Sequence, residues 1–160
     1  MGGERYWELV EPVWDTINIY DGPEIFLRTY GEAPRNSALL FAAHFCQSEI
    51  CNGGFAQFFS NSTGVLAPEA LEGFRAIGQS EVARTIEEAM RTLGATYIRD
   101  RKARQEVLKA LVGVHQDRHR ALDEVVFGEF DRRFFKLIRT EVGGFEVAAD
   151  NFAANLRRET

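Results

Sequence analysis

The chain has little with which to staple itself, cross a membrane or hold a metal. Its cysteines number two, Cys46 and Cys51. They fall five apart in what reads as one helix and its end, where side chains are rotated by about 140° on the helical surface. A disulfide between them would require the helix to have stopped by Cys51, so the expectation is two buried thiols in a reducing cytoplasm. No stretch approaches the run of about 20 apolar residues that a bilayer span needs. Glu4 stands where a signal peptide would carry basic residues ahead of an apolar run. Tyr6 stands where a myristoylation signal would carry Ser or Thr. Four prolines and no low-complexity tract argue against extended disorder. Asn61-Ser62-Thr63 fits the glycosylation pattern, which in a cytoplasmic chain reads as a turn.

What is present suits one soluble domain. A chain of 160 residues, 45% hydrophobic and with 13 Phe, can bury roughly two-thirds of its unfolded surface. The formal charge of −5 is unevenly placed. Residues 1–32 hold seven acids, Glu4, Glu8, Glu11, Asp15, Asp21, Glu24 and Glu32, against Arg5 and Arg28, which leaves 17 acids against 17 bases elsewhere. A bulk basic footprint for nucleic acid is therefore absent. The run Arg99–Arg104 carries four bases against Asp100. At a helix start it reads as a solvated face or a partner for nearby acids rather than as a phosphate clamp.

Periodicity makes the chain all-α, a compact bundle of about six to eight helices. Tyr6, Trp7, Val10, Val13, Trp14 and Ile17 share one apolar face of a helix expected over Glu4–Ile19. Glu4, Glu8, Glu11 and Asp15 line the opposite face. Glu24–Tyr30, between two turn signals, reads as either a short helix or an irregular edge. Asn36 or Ser37 is a candidate cap for a core helix through Ala38–Cys46. Asn52-Gly53-Gly54 interrupts that helix with residues that tolerate positive φ, a helix exit or sharp kink. Phe55, Phe58 and Phe59 then resume helical spacing until Asn61–Gly64. Further helices are expected over Pro68–Ile77, over Glu81–Leu93 with Ser80 as its cap, over Lys102–Phe127 for about seven turns, over Glu129–Glu141 and over Phe145–Leu156.

Tests for chemistry return little. His44, Cys46, Glu49 and Cys51 form a metal-capable group, but His44 and Cys46, two apart on a helix, diverge by about 200°. His115 and His119 stand at i, i+4 without the glutamate that a zinc-protease helix requires. No phosphate-loop or dinucleotide fingerprint is present, and no cofactor is expected. Glu49, Asn52, Gln57 and Asn61 sit among phenylalanines where burial is expected. They read as hydrogen-bonded caps holding the kink or as the floor of a ligand pocket, the structural role being preferred.

The segment Glu49, Asn52, Gly53, Gly54, Phe55, Gln57, Phe58, Phe59, Asn61, Gly64 resembles the signature of a bacterial family of helical, largely uncharacterised proteins whose best-known member is a DNA mimic. Ala121–Glu124 through Phe130, Asp131, Phe134 and Phe135 is similar to that family's later Leu-Asp and aromatic stretch. The resemblance covers about residues 36–145, and residues 1–35 read as an acidic helix and turns ahead of that core. It implies an all-helical and often dimeric protein. For the best-known member it implies a carboxylate surface that imitates duplex phosphates and occupies a DNA-binding regulator.

The expectation is therefore a non-catalytic, cytoplasmic, protein-binding regulator whose partner is a DNA-binding protein, met through Glu4, Glu8, Glu11, Asp15, Asp21, Glu24 and Glu32. It involves no direct nucleic acid and no membrane. The alternatives are a homodimeric scaffold without mimicry, and a ligand binder or enzyme built on the central polar cluster.

Overall fold

The structure, a computed structural model, describes residues 4–113 and 120–159. His115 and His119 lie outside the described residues, as does the side chain of Glu4. Among the described residues there is no strand, and eight α-helices pack as one compact domain: α1 (Glu4–Val10), α2 (Pro23–Glu32), α3 (Arg35–Ser60), α4 (Ala67–Ala76), α5 (Ser80–Arg91), α6 (Arg101–Val112), α7 (Gly128–Thr140) and α8 (Phe145–Glu159). Short 3-10 turns at Glu11–Val13, Ser62–Leu66 and Glu141–Gly143 and a π turn at Ala121–Val126 link them. No described helix is long and apolar enough to cross a membrane.

The axis of the bundle is α3, whose apolar stretch Ala38–Ala43 is wholly buried. It packs most extensively on α4 and also touches α1, α6 and α7. α1 lies against α8, and α5 against α4 and α7. Gly73 of α4 has no side chain to hold off the Leu39 carbonyl, which would lie 2.5 Å from a Cβ there. That absence permits the close α3–α4 approach.

Several local expectations change. The first helix ends at Val10 and not at Ile19, because Pro12 has no amide to donate and its ring crowds the carbonyl four residues back. The chain tightens there into a 3-10 turn. Tyr6, Val10, Val13 and Ile17 stay buried, and Trp14 packs its ring on Trp7, Phe41 and Phe45 while 39% of its surface stays exposed. Glu24–Tyr30 belongs to a regular helix. α3 begins at Arg35 after Pro34, with no side-chain cap, so Asn36 and Ser37 fall inside its first turn. The helix runs on through Cys51, which keeps the two thiols apart and leaves Cys51 exposed while Cys46 is buried. The long helix over Lys102–Phe127 is not continuous: α6 stops at Val112, and Gly113 takes φ 56°. Ser80 is not a cap but the first residue of α5.

Candidate functional site: a pinned helix joint beside an acidic face

Inside α3 the one non-helical residue is Gly54, at φ 79° and ψ −179°, while Gly53 remains helical. Only glycine takes this conformation without steric cost. The kink withdraws the Phe55 amide from its ladder partner, and Asp131 of α7 supplies a replacement, with the Phe55 N–H donating to Asp131 Oδ1 at 2.8 Å. Asp131 thus caps the second half of α3 from 76 residues away. It is only 9% exposed, and burial, seconded by the Asp123 carboxylate, pushes its carboxyl up to about 6 against the pull of the Phe55 amide and Arg132. Phe55 seats its ring among Phe59, Phe127, Phe130 and Phe134, which fixes the angle between the two halves.

The C-terminal end of α3 is pinned just as firmly. A helix leaves its last carbonyls without intrahelical donors, and the first turn of α6 answers them. Arg104 Nε donates to the Phe59 carbonyl at 2.8 Å and Nη2 to the Asn61 carbonyl at 2.8 Å. Arg101 Nε and Gln105 Nε2 both donate to the Ser60 carbonyl, at 3.0 and 2.9 Å. Arg104 also bonds the carbonyls of Ile98 and Arg99. It is 0% exposed, and burial lowers its pKa. Positive charge at a helix C-terminus also meets the dipole favourably.

Gly64 fits between these groups because it lacks a Cβ. One placed there would lie 2.7 Å from the Phe58 carbonyl and 2.9 Å from Arg104 Nη2. The Tyr97 hydroxyl donates to the Gly64 carbonyl at 2.6 Å. Asn61 Nδ2 and Gln57 Nε2 donate to the two carboxylate oxygens of Glu49, at 2.7 and 3.4 Å. Asn52, expected to be buried in this cluster, is exposed, because the helix continues past it and turns it outward.

The acidic residues of the N-terminal fifth lie apart from the joint. α1 is anchored by Tyr6, whose amide donates to Asp150 Oδ1 of α8 at 3.1 Å. Its hydroxyl lies 3.0 Å from His44 Nδ1 of α3. Burial lowers the His44 pKa, and the tautomer of the ring sets which of the two groups donates. Glu8 pairs with Arg157. Glu11, Asp15, Asp21, Glu24 and Glu32 are exposed and, among the described residues, enter no ion pair. They do not form one helical row, since α1 ends before Glu11. Asp15 and Asp21 instead line a depression of about 270 Å³ together with Trp14, Tyr20, Phe41 and Phe45. Tyr20, 74% exposed, stands at its edge.

Among the described residues no group of His, Cys, Asp and Glu could hold a metal. The sequence names Asp131 in the family-like stretch and Arg104 in the basic run without assigning either its role in the joint, and it does not single out Glu141. The first two carried a signal: Asp131 interrupts the aromatic spacing Phe127, Phe130, Phe134, and Arg104 begins the four-residue stripe Arg104, Leu108, Val112. Glu141 carried none. Its carboxylate accepts the Glu81 and Val82 amides at 2.8 and 2.9 Å, capping α5 across some sixty residues of chain.

A family model described as DMP19-like protein matches residues 31–156. No curated protein matches the chain, and neither does any solved structure. The matched span contains the whole joint with Tyr97, Arg104, Asp131 and Glu141. Of the seven N-terminal acids it contains only Glu32.

Proposed function

The chain belongs to the DMP19-like protein family, and from that premise we propose that it is a non-catalytic regulator that binds a DNA-binding protein through the carboxylates of residues 1–32. The reading is supported above all by the five exposed acids, Glu11, Asp15, Asp21, Glu24 and Glu32, which have no ion-pair partner among the described residues, on a segment whose formal charge is −5. Surface carboxylates outside any ion pair among the described residues, two of them lining an aromatic depression, suit a basic groove. The charges steer the approach, and Trp14 and Tyr20 are the kind of side chain that carries binding energy at an interface. The polar cluster Glu49, Gln57 and Asn61 bonds within itself, which favours a structural role for it over catalysis.

The test reverses Glu11, Asp15, Asp21 and Glu24 to Lys and leaves Glu8, with its Arg157 pair, in place. Both proteins are immobilised and exposed to lysate of the organism that makes them. The retained DNA-binding proteins are then challenged with duplex DNA. The expected result is retention by the wild type, displacement by the duplex and loss of retention in the variant. Retention that survives charge reversal, or that duplex DNA does not displace, would sink the proposal.

A further inference from the structure

On a protein of net negative charge, positive charge collects at one cavity. A hollow of about 360 Å³ is lined by Arg99, Arg101, Lys102 and Arg104, with Asp100 the sole carboxylate among its lining residues. Arg99 is neutralised by a two-pronged pair with Glu69 at 2.8 Å. Asp100 turns its carboxylate to its own helix, accepting the Ala103 amide at 2.9 Å. Among the described residues, no carboxylate is bonded to the remaining three cations. Arg104 bonds only carbonyls, Arg101 bonds the Ser60 carbonyl through Nε, and Lys102 is exposed with no bonded partner among the described residues. The C-terminal end of α3 offsets about half a charge, which leaves the lining residues themselves net positive, with the exposed acids Asp21 and Glu24 as chain neighbours of Tyr20, Gly22 and Pro23.

Arg104 is too deeply buried to touch a ligand, so it acts by its field, while the free Nη groups of Arg101 and the Lys102 ammonium can reach one. The lining also includes the apolar side chains of Ile19, Pro23 and Val65. Tyr20, a lining residue that is 74% exposed, offers a stacking face.

We propose that this cavity binds a small phosphomonoester carried on a flat ring, a nucleoside monophosphate in chemical class, with its phosphate on Arg101 and Lys102 and its ring on Tyr20. An arginine fork and a lysine point charge suit a doubly charged phosphate, and the volume falls within the range of small-molecule sites.

Calorimetric titration of the full chain with AMP, inorganic phosphate and adenosine tests this, with circular dichroism as the folding control. AMP binds more tightly than phosphate, and adenosine binds weakest. Lys102→Glu weakens AMP about tenfold or more, the loss of one charge-assisted contact. Tyr20→Ala weakens AMP by about threefold to tenfold, the loss of one stacking contact, and leaves phosphate unchanged. Both side chains are exposed, so both variants are expected to fold. Arg101→Gln provides a second reading of the phosphate contact. No AMP binding at millimolar concentration, AMP affinity unchanged in Lys102→Glu, or adenosine binding as tightly as AMP would each overturn the assignment.

Discussion

Replacing Asp131 by Asn should make the protein less sensitive to pH, and the magnitude follows from the joint. The buried Asp131 carboxyl is raised from 3.8 to about 6, so between those values the folded chain holds a proton that the unfolded chain has released. Stability rises with pH only where the unfolded state binds more protons. Here the folded state binds more, and this group's contribution falls as pH climbs from about 4 to about 6. A displacement of about two pH units corresponds to roughly 3 kcal/mol. The group is buried, so solvent screening removes little of it.

Asp131→Asn keeps a carbonyl oxygen for the Phe55 amide and abolishes the titration. Urea unfolding of both proteins at several values from about pH 4 to about pH 7.5 isolates the effect, because the acids remote from Asp131 cancel between the two and only its neighbour Asp123 is coupled to it. The difference in unfolding free energy should shift by roughly 3 kcal/mol in favour of the variant as pH rises. A constant difference, or one that moves the other way, would mean that the Phe55 hydrogen bond outweighs desolvation and that Asp131 stays ionised when folded. The argument about how this joint is held would then be wrong.

Two further substitutions probe the remaining pins. Glu141→Ala removes the carboxylate from the Glu81 and Val82 amides and should cost about 1–2 kcal/mol, the usual price of a lost helix cap; calorimetry reads the loss, and amide exchange at those two positions should accelerate. Arg104→Met strips donors from the carbonyls of Phe59, Ile98, Arg99 and Asn61 and should destabilise by about 3–5 kcal/mol, the range for breaking a buried charged network; chemical denaturation reads it, and a loss under about 1 kcal/mol would mean that water answers those carbonyls as well as Arg104 does.

Helices were legible where local chemistry decides them. Asn52-Gly53-Gly54 tolerates positive φ and so marks a helix exit or sharp kink, which the structure narrows to Gly54, and the phenylalanines after it announce a helix by spacing alone. Local chemistry also misled. Ser80 and Asn36 look like caps, yet α5 takes its cap from Glu141 and α3 starts after Pro34 without one. A carboxylate that arrives from sixty residues away leaves no trace in a short window. Pro12 was visible and argued against a helix through Ile19, and the apolar rhythm around it obscured that. The rhythm of Lys102–Phe127 was equally persuasive, and Gly113 at positive φ ended it. The basic run Arg99–Arg104 divides in a way that no one-dimensional reading separates: Arg99 pairs with an acid, Arg104 staples a helix end from within the core, and Lys102 faces solvent.

The joint and the acidic face stand in unequal relation to the fold. The Phe55 amide and the carbonyls of Phe59, Asn61 and Gly64 are each bonded by a group from a distant element, Asp131, Arg104 or Tyr97, so a change there disturbs α3 or its end together with α7, α6 or the segment before α6. The N-terminal acids have no such ties. Their segment is fastened through Tyr6 to Asp150 and His44 and through Glu8 to Arg157, while Glu11, Asp15, Asp21 and Glu24 project from turns and from the outer side of α2. Side chains of that kind can change with effects within about 0.5 kcal/mol. A chain held together by the joint can therefore keep its fold while the surface ahead of it changes. A family match beginning at residue 31 is thus compatible with the proposal that recognition resides chiefly in the 30 residues before it.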